Sequence, residues 1–495
     1  MSNLSTVDLV TLAPASLWDG KIYSTGWKQP GNGTIDVTDK STGESIGSIG
    51  VASTEDVEAA AIDAREAQAA WALVPGPLRG DIMREFSRLV VEHADEIATQ
   101  IVRETGSIRP KAEWEVFMTA RESLEAANLG SEPVGIQVAS AEVGRRSFAK
   151  RVPIGTVGII TPWNSPFLLG TRAIAPALVA GNAVLLKPDP QTPVCGGVIF
   201  ARLLEEAGLP AGLFHVLPGA VATGEAVVAE PLVDMVSFTG STRAGRQIGA
   251  VAGGLLKRVS LELGGNNPYI VLEGVDIEAA ASAGAWGSFF HQGQICLTAG
   301  RHLVHESIAE EYTEALVRHA KNLVVGDPFL GQVHLGPIVN EKQAANVDRI
   351  VADTIAKGAR IRVGGGREGL FYQPTVISGV EPGMAVFDEE IFGPIAGITT
   401  FSTDEEAVAL ANETSYGLSA AVVGPDLAQA QRIADKLHSG IVHINDQPVL
   451  HEVYGPIGGV GVSGNGFNHS TLTNADQFTE WKWVTVRDEI AQYPF

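Results

Sequence analysis

TVGIITPWNSPFLLGTRAIAPALVAGNAVLLK, residues 156–187, is the stretch from which the fold is read. TVGIIT (156–161) and NAVLLK (182–187) are short apolar runs, and FLLGTRAIAPALVAG between them has helical length and spacing. The alternation continues through LFHVLP (213–218) and VDMVSFTG (233–240), with GGVIFARLLEEAG and GEAVVAE as the intervening helices. Such a chain predicts parallel βαβ units that take ligands at the C-terminal ends of the strands. A second series follows RVSLELGG. NPYIVLE, RHLVHE, ARIRVGG, AGITTF and GIVHIN read as strands, and DIEAAASAGAWGSFF and AEEYTEALVRHAKNLV as helices, so a second α/β domain is expected. Upstream, TEDVEAAAIDAREAQAAWALV and LRGDIMREFSRLVVEHADEIATQIVRET have helical spacing, the first opening on a capping signal at Thr54. GSEPVGIQVASAEVGRRSFAKR (130–151) alternates polar and apolar residues and predicts a hairpin arm, of the kind that reaches a partner subunit.

The bulk composition narrows the function classes. A length of 495 residues with 45 % hydrophobic side chains suits two or three globular domains. A formal net charge of −22 argues against nucleic acid and anionic membranes as partners, since both require basic patches. Cys195 and Cys296 are too few for a disulfide framework and form no CxxC, so a reducing, cytoplasmic setting is expected and no metal is called for. The opening MSNLSTVDLVTLAPASLWDGK lacks a basic region followed by a long apolar one and is not read as a signal peptide. No run of 18 uncharged apolar residues is present, so no membrane span is expected.

Several residues at predicted strand ends carry chemistry. Asn164, in TPWNSP, is either a turn residue or an amide donor for an oxyanion. Lys187, in LLKPDP, is either solvated or set to meet a ribose or phosphate. SFTGSTRAG joins a strand to a helix. Gly240 and Gly245 permit close approach of the backbone, and Ser241 and Thr242 offer hydroxyls and N–H groups where a phosphate is favoured. It is not GxGxxG, and a plain strand–turn–helix reads equally well. Glu262 stands between two leucines, where burial raises a carboxyl pKa toward the range useful to a general base. Cys195, in QTPVCGGVIF, reads as a small core residue. Cys296, in HQGQIC, follows polar and glycine residues, which suits an exposed nucleophile whose pKa is lowered by nearby N–H groups.

Taken together, TPWNSP, FTGSTRAG, LELGGNN, GQIC, EEIFGP and GPIGGVGVSGNG closely resemble the aldehyde dehydrogenase superfamily, nearly end to end. The resemblance implies an α/β fold with a Rossmann-like cofactor domain (1–129 and 152–262), a catalytic domain (263–466), and a β-hairpin oligomerisation arm and tail (130–151 and 467–495). It implies a homodimer or homotetramer. Cys296 would attack an aldehyde, Asn164 and the Cys296 N–H would hold the oxyanion, and Glu262 would activate water. NAD, with NADP as the alternative, would meet Lys187 at its ribose and Gly240, Ser241, Thr242 and Gly245 at its pyrophosphate. Glu390 would hold the nicotinamide ribose, with Phe392 and Trp163 lining the cleft. Two positions depart from the family pattern. Pro190 stands where many NAD-preferring members carry Glu, and Ile457 and Gly461 replace an aromatic residue and a lysine.

FFHQGQICLTAGRHLVH, VVGDPFLGQVHLGPIVNEKQ, GIVHINDQP and the terminal QYPF most resemble the bacterial benzaldehyde and vanillin dehydrogenase subgroup. The pocket residues implied are Ser165, Leu169, Arg172, Ile295, Leu297, Asn445 and Ile457, mostly apolar or small as an aryl ring requires. Arg172 admits two readings, an internal ion pair or a partner for the carboxylate of a semialdehyde. An inactive binding homologue would be expected to lack Cys296 or Glu262. A CoA-acylating relative would be expected to lack Glu262. Both residues are present.

Overall fold

The computed structural model describes residues 11–495; residues 1–10, where the N-terminal opening and the 1–129 segment begin, lie outside the described residues. Two seven-stranded sheets dominate. In the first, Thr156–Ile160, Ala183–Lys187, Phe214–Val216, Met235–Thr239 and Arg258–Glu262 run parallel. Thr156–Ile160 lies between Ala183–Lys187 and Met235–Thr239, so the winding reverses direction there. A crevice at such a reversal is where open α/β sheets take their ligands. Thr156–Ile160 and Ala183–Lys187 are buried along their whole length, which is why they read as unbroken apolar runs.

This sheet ends on two antiparallel strands that the periodicity did not reveal, Ile22–Ser24 and Trp27–Lys28. Strands of two or three residues are too short to show an alternation. The helix after them opens on a capping box of Ser53 and Asp56, one residue earlier than the cap expected at Thr54.

The second sheet runs Arg360–Val363, Thr375–Ser378, Ile395–Phe401, Arg301–His305, Pro268–Val271, Ser419–Val423, Ile441–Ile444, with only the first strand antiparallel to its neighbour. Tyr269 and Val271 pack into one core layer and Ile270 and Leu272 into the other, so helices cover both faces. Ser419–Val423, made of small residues in SAAVV, is a buried strand that its sequence did not announce.

The segment 130–151 supplies a hairpin, Gly135–Gln137 against Arg146–Pro153, and the tail adds Thr479–Val486 as a third strand. Among the described residues no helix is long and apolar enough to cross a membrane.

Candidate active site

The register of the first sheet brings the strand ends together. Ile160, Lys187, Phe238 and Leu261 are level across four strands, and Glu262 is the last residue of its strand, paired with Thr239. Chain leaving these ends carries Asn164, Gly240 and the 263–267 link into the second sheet. A groove of about 670 Å³ opens at the winding reversal between Ile160–Trp163 and Phe238–Ser241. Its apolar walls include Val221, Val228, Ile248 and Val251, and Lys187, Asp189 and Pro190 stand at its rim. The residues present fit a dinucleotide: an apolar groove beside a cation, at a helix N-terminus.

Lys187 is buried rather than solvated. Desolvation lowers its pKa, and Asp189 opposes that shift. Ser241 caps the helix Thr242–Gly254 by accepting from the Ala244 N–H at 3.4 Å, and it also lines the groove. Two expected phosphate contacts are placed elsewhere. The Thr242 hydroxyl donates to the Val462 carbonyl at 3.1 Å, and neither Thr242 nor Gly245 lines the groove. Gly245 faces the protein interior, where a Cβ would come within 2.4 Å of the Leu263 side chain. Its lack of a side chain serves packing of helix on sheet, not approach to a ligand.

A second cavity of about 270 Å³ continues the groove inward, sharing Pro162, Trp163, Thr239, Gly240 and Ser241 with it. Glu390, Phe392, Asn164 and Cys296 complete its lining. Trp163 meets Phe392 edge to face, with ring centroids 5.4 Å apart. Glu390 accepts the Gly265 N–H at 3.0 Å, and burial pushes its carboxyl up to about 7. Beyond Cys296 lies a narrower inner cavity, lined among others by Ser165, Leu169, Arg172, Ile295, Leu297 and Ile457. Cys296, Asn164, Leu169, Thr239 and Leu263 border both cavities, so the thiol stands at their junction. Trp114, Leu168, Leu418, Val449 and His451 line the inner cavity too, from helices and loops that no local motif tied to it. Asn445 does not line it. Its side-chain oxygen accepts the Gly424 N–H at 2.9 Å, which ties down a strand end.

The polar residues before Cys296 are brackets rather than signs of exposure. His291, Gln292 and Gln294 are buried. Gln292 Nε2 donates to the carbonyls of Gly106 and Pro337, each at 2.9 Å, and Gln294 Oε1 accepts the Val339 N–H at 3.0 Å. His291 and Gln292 adopt left-handed backbone angles, φ 51° and 57°, and Gly293 follows at 66°. A Cβ on Gly293 would lie 2.1 Å from the Gly393 carbonyl oxygen, so only glycine fits. Asn267 Nδ2 donates to the carbonyls of Cys296 and Thr298 at 2.8 and 2.9 Å, fixing the loop downstream. Asn164 Nδ2 donates to the Gln294 carbonyl at 2.9 Å, which leaves its second N–H for another acceptor. Beneath it the buried Lys111 pairs with Glu115 and donates to the Asn164 carbonyl at 2.8 Å.

The electrostatics reverse one expectation. Burial, and then the Glu390 and Glu262 carboxylates, push the Cys296 thiol up to about 12, with Arg172 opposing them. The Cys296 N–H does lower the thiol pKa, but desolvation and the two carboxylates outweigh it. Burial also raises Glu262 well above the usual carboxylate range, again opposed by Arg172, and its Oε1 has no hydrogen-bond partner. A thiol and an acceptor carboxyl thus share one site, each needing to lose a proton before it acts. Among the described residues no group of three or more His, Cys, Asp and Glu side chains is placed to hold a metal ion.

The family model of aldehyde dehydrogenases matches residues 27–484. The chain belongs to the aldehyde dehydrogenase family. It is 47 % identical to a vanillin dehydrogenase of Amycolatopsis over 97 % of this chain and 98 % of that protein. It is equally similar, over the same shares, to an NAD(+) benzaldehyde dehydrogenase of Pseudomonas putida. Among solved structures, a Staphylococcus aureus betaine aldehyde dehydrogenase in complex with NAD+ superposes with a TM-score of 0.93 at 31 % identity, covering 97 % of this chain and 96 % of that one. An Escherichia coli NADP-dependent enzyme superposes at 0.92 with 34 % identity, covering 95 % and 99 %. As an aldehyde dehydrogenase, the chain is an oxidoreductase that oxidises aldehydes with a nicotinamide dinucleotide.

Proposed function

We propose that this aldehyde dehydrogenase oxidises aromatic aldehydes to carboxylic acids, preferring NAD to NADP. The apolar inner cavity that opens onto Cys296 carries the reading, and the 47 % identity to vanillin and benzaldehyde dehydrogenases supports it. The Cys296 thiolate attacks the carbonyl carbon of a ring held among Trp114, Leu169, Leu297 and Ile457. The oxygen becomes an oxyanion, held by the free N–H of Asn164 and the Cys296 N–H. Lys187, Gly240, Ser241 and Glu390, with Trp163 and Phe392 beside them, would hold a dinucleotide, which when bound would supply the acceptor for a hydride. The oxyanion adduct collapses to a thioester on Cys296 as its carbon loses that hydride. Glu262 takes a proton from water, the hydroxide adds to the thioester, and the Cys296 thiolate leaves as the acid forms. The three-stranded arm seats a second copy of the chain, a reading supported by Trp481 and Trp483, 52 % and 71 % exposed on its outer strand.

The substrate assignment is tested by comparing kcat/KM for benzaldehyde and acetaldehyde. A ratio of at least about 100 is expected, because a ring buries enough extra apolar surface for roughly 2–3 kcal/mol. Comparable values, or a preference for an aliphatic semialdehyde, would overturn the aromatic reading and leave the family intact. Ile457→Ala should cost benzaldehyde more than its methoxylated analogue, since it widens the slot.

On the cofactor side, Pro190 lines the groove beside Lys187. Pro190→Glu would place a carboxylate near a 2′-phosphate and should lower NADP use roughly tenfold or more relative to NAD. Steady-state kinetics with both dinucleotides read this directly. Equal loss with both would mean that residue 190 does not face the ribose.

A further inference from the structure

Two charged side chains that line neither cavity lie beneath the Asn164 amide. Lys111 and Glu115 stand one turn apart on the helix Arg109–Asn128, both with fully buried side chains, and they pair with each other. Neither borders the inner cavity or the one that contains Glu390. A buried ion pair contributes little to stability, because desolvation of both charges offsets their attraction, so its presence asks for another reason. The pair makes three further hydrogen bonds, and each ends on the backbone of residues 164–168. Lys111 Nζ donates to the Asn164 carbonyl at 2.8 Å. Glu115 Oε1 accepts the N–H groups of Phe167 at 2.9 Å and Leu168 at 3.2 Å. Those are the second and third residues of the helix Pro166–Val179, whose N–H groups an N-cap side chain ordinarily takes. Ser165, at the N-cap, makes no such bond and lines the inner cavity instead. A carboxylate from another helix thus caps this one, where the helix dipole also favours its charge.

Lys111 and Glu115 thereby hold the chain at Asn164 and again three residues later. The Asn164 side chain has one N–H spent on the Gln294 carbonyl at 2.9 Å and its second N–H left for an oxyanion. Where that second N–H points follows from the backbone at 164, because only two side-chain torsions separate the amide from Cα. Loss of the ammonium would leave the buried Asn164 carbonyl without that donor, and the turn would shift to satisfy it. A misplacement of about 1 Å at a reacting group costs on the order of 10²-fold in rate. We propose that Lys111 and Glu115 are positioning residues that aim the Asn164 amide at the oxygen of the substrate carbonyl. This rests on the oxyanion role of Asn164 and extends it to the buried pair behind it.

The test is a double-mutant cycle on kcat/KM for benzaldehyde, with wild type, Lys111→Met, Asn164→Ala and the enzyme carrying both substitutions. Asn164→Ala should lower kcat/KM by roughly 10²- to 10³-fold, the size of one lost oxyanion donor. Lys111→Met should lower it by roughly 10- to 100-fold when Asn164 is present. Added to Asn164→Ala it should cost less than about threefold, since the amide through which Lys111 acts is already gone. A merely structural part for Lys111 would cost both enzymes the same factor, because a loss of folded protein does not depend on the amide. Equal factors would therefore overturn the proposal, and so would a Lys111→Met enzyme within about threefold of wild type. Lys111→Met leaves the Glu115 charge buried without its partner. Lys111→Met/Glu115→Gln removes both charges and keeps an acceptor for the helix N–H groups. It is put through the same cycle with the same expected outcome, and it decides alone if the single variant does not fold. Failure of the oxyanion reading shows separately, as an Asn164→Ala enzyme within about threefold of wild type, and it would take the proposal with it.

Discussion

Cys296→Ala is expected to lower aldehyde oxidation by at least about 10⁴-fold, while Cys195→Ala keeps specific activity within about twofold of wild type. Cys296 stands where two cavities meet, partly exposed, with Asn164 bordering the same space. Without its sulfur there is no atom to carry the acyl group, and neither oxyanion donors nor a hydride acceptor can replace it. Cys195 is fully buried at the start of a helical segment. The Glu104 carboxylate accepts the N–H groups of Val194 and Cys195 at 2.9 and 2.6 Å, and the Cys195 thiol is held well above its ordinary pKa by burial, then by Glu104. No substrate reaches it. Its replacement removes one buried sulfur and should cost about 1–2 kcal/mol of stability, seen as a lower melting temperature. Steady-state rates of the two purified variants decide the matter. An inactive Cys195→Ala with an active Cys296→Ala would invalidate the site as drawn.

Glu262→Gln should leave a single burst of reduced dinucleotide and then stall, with steady-state kcat lower by roughly 10²- to 10⁴-fold. Attack and hydride loss precede hydrolysis, and glutamine keeps the shape of the side chain while losing its basicity. Rapid-mixing absorbance measures both phases on one sample. A burst missing along with the turnover would show that Glu262 also deprotonates Cys296. The wild type should speed up as pH rises above neutral. Burial disfavours the charged forms of both the thiol, pushed up to about 12, and the Glu262 carboxyl, and both reactive forms gain population as protons are removed. A kcat that falls as pH rises from 7 to 9 would contradict this assignment of roles.

Much of this was legible in local sequence. The βαβ alternation from 156 to 240 is written in apolar runs because a parallel strand covered on both faces has no polar side to show. Asn164, Lys187, Glu262 and Cys296 stand at strand ends and in a loop, and short motifs mark each one. Even the arm at 130–151 is visible as an alternation.

Other features depend on contacts between distant segments. Thr242 and Gly245 lie in a stretch that reads as a phosphate contact, yet the C-terminal segment at Val462 and the Leu263 side chain claim them. Asn445 is spent on a strand end. HQGQIC looks exposed because it is polar, but its glutamines hydrogen-bond carbonyls and an N–H brought in from Gly106, Pro337 and Val339. The thiol stands half-buried near two carboxylates, and its pKa rises where the sequence suggested a fall. Trp114 and His451 carry no motif at all. The sequence by itself determined the fold class and the choice of candidate reacting groups, because each is encoded by neighbours within a few residues. The tertiary structure decided what surrounds those groups, because burial, charge and hydrogen-bond partners are set by residues far away in the chain.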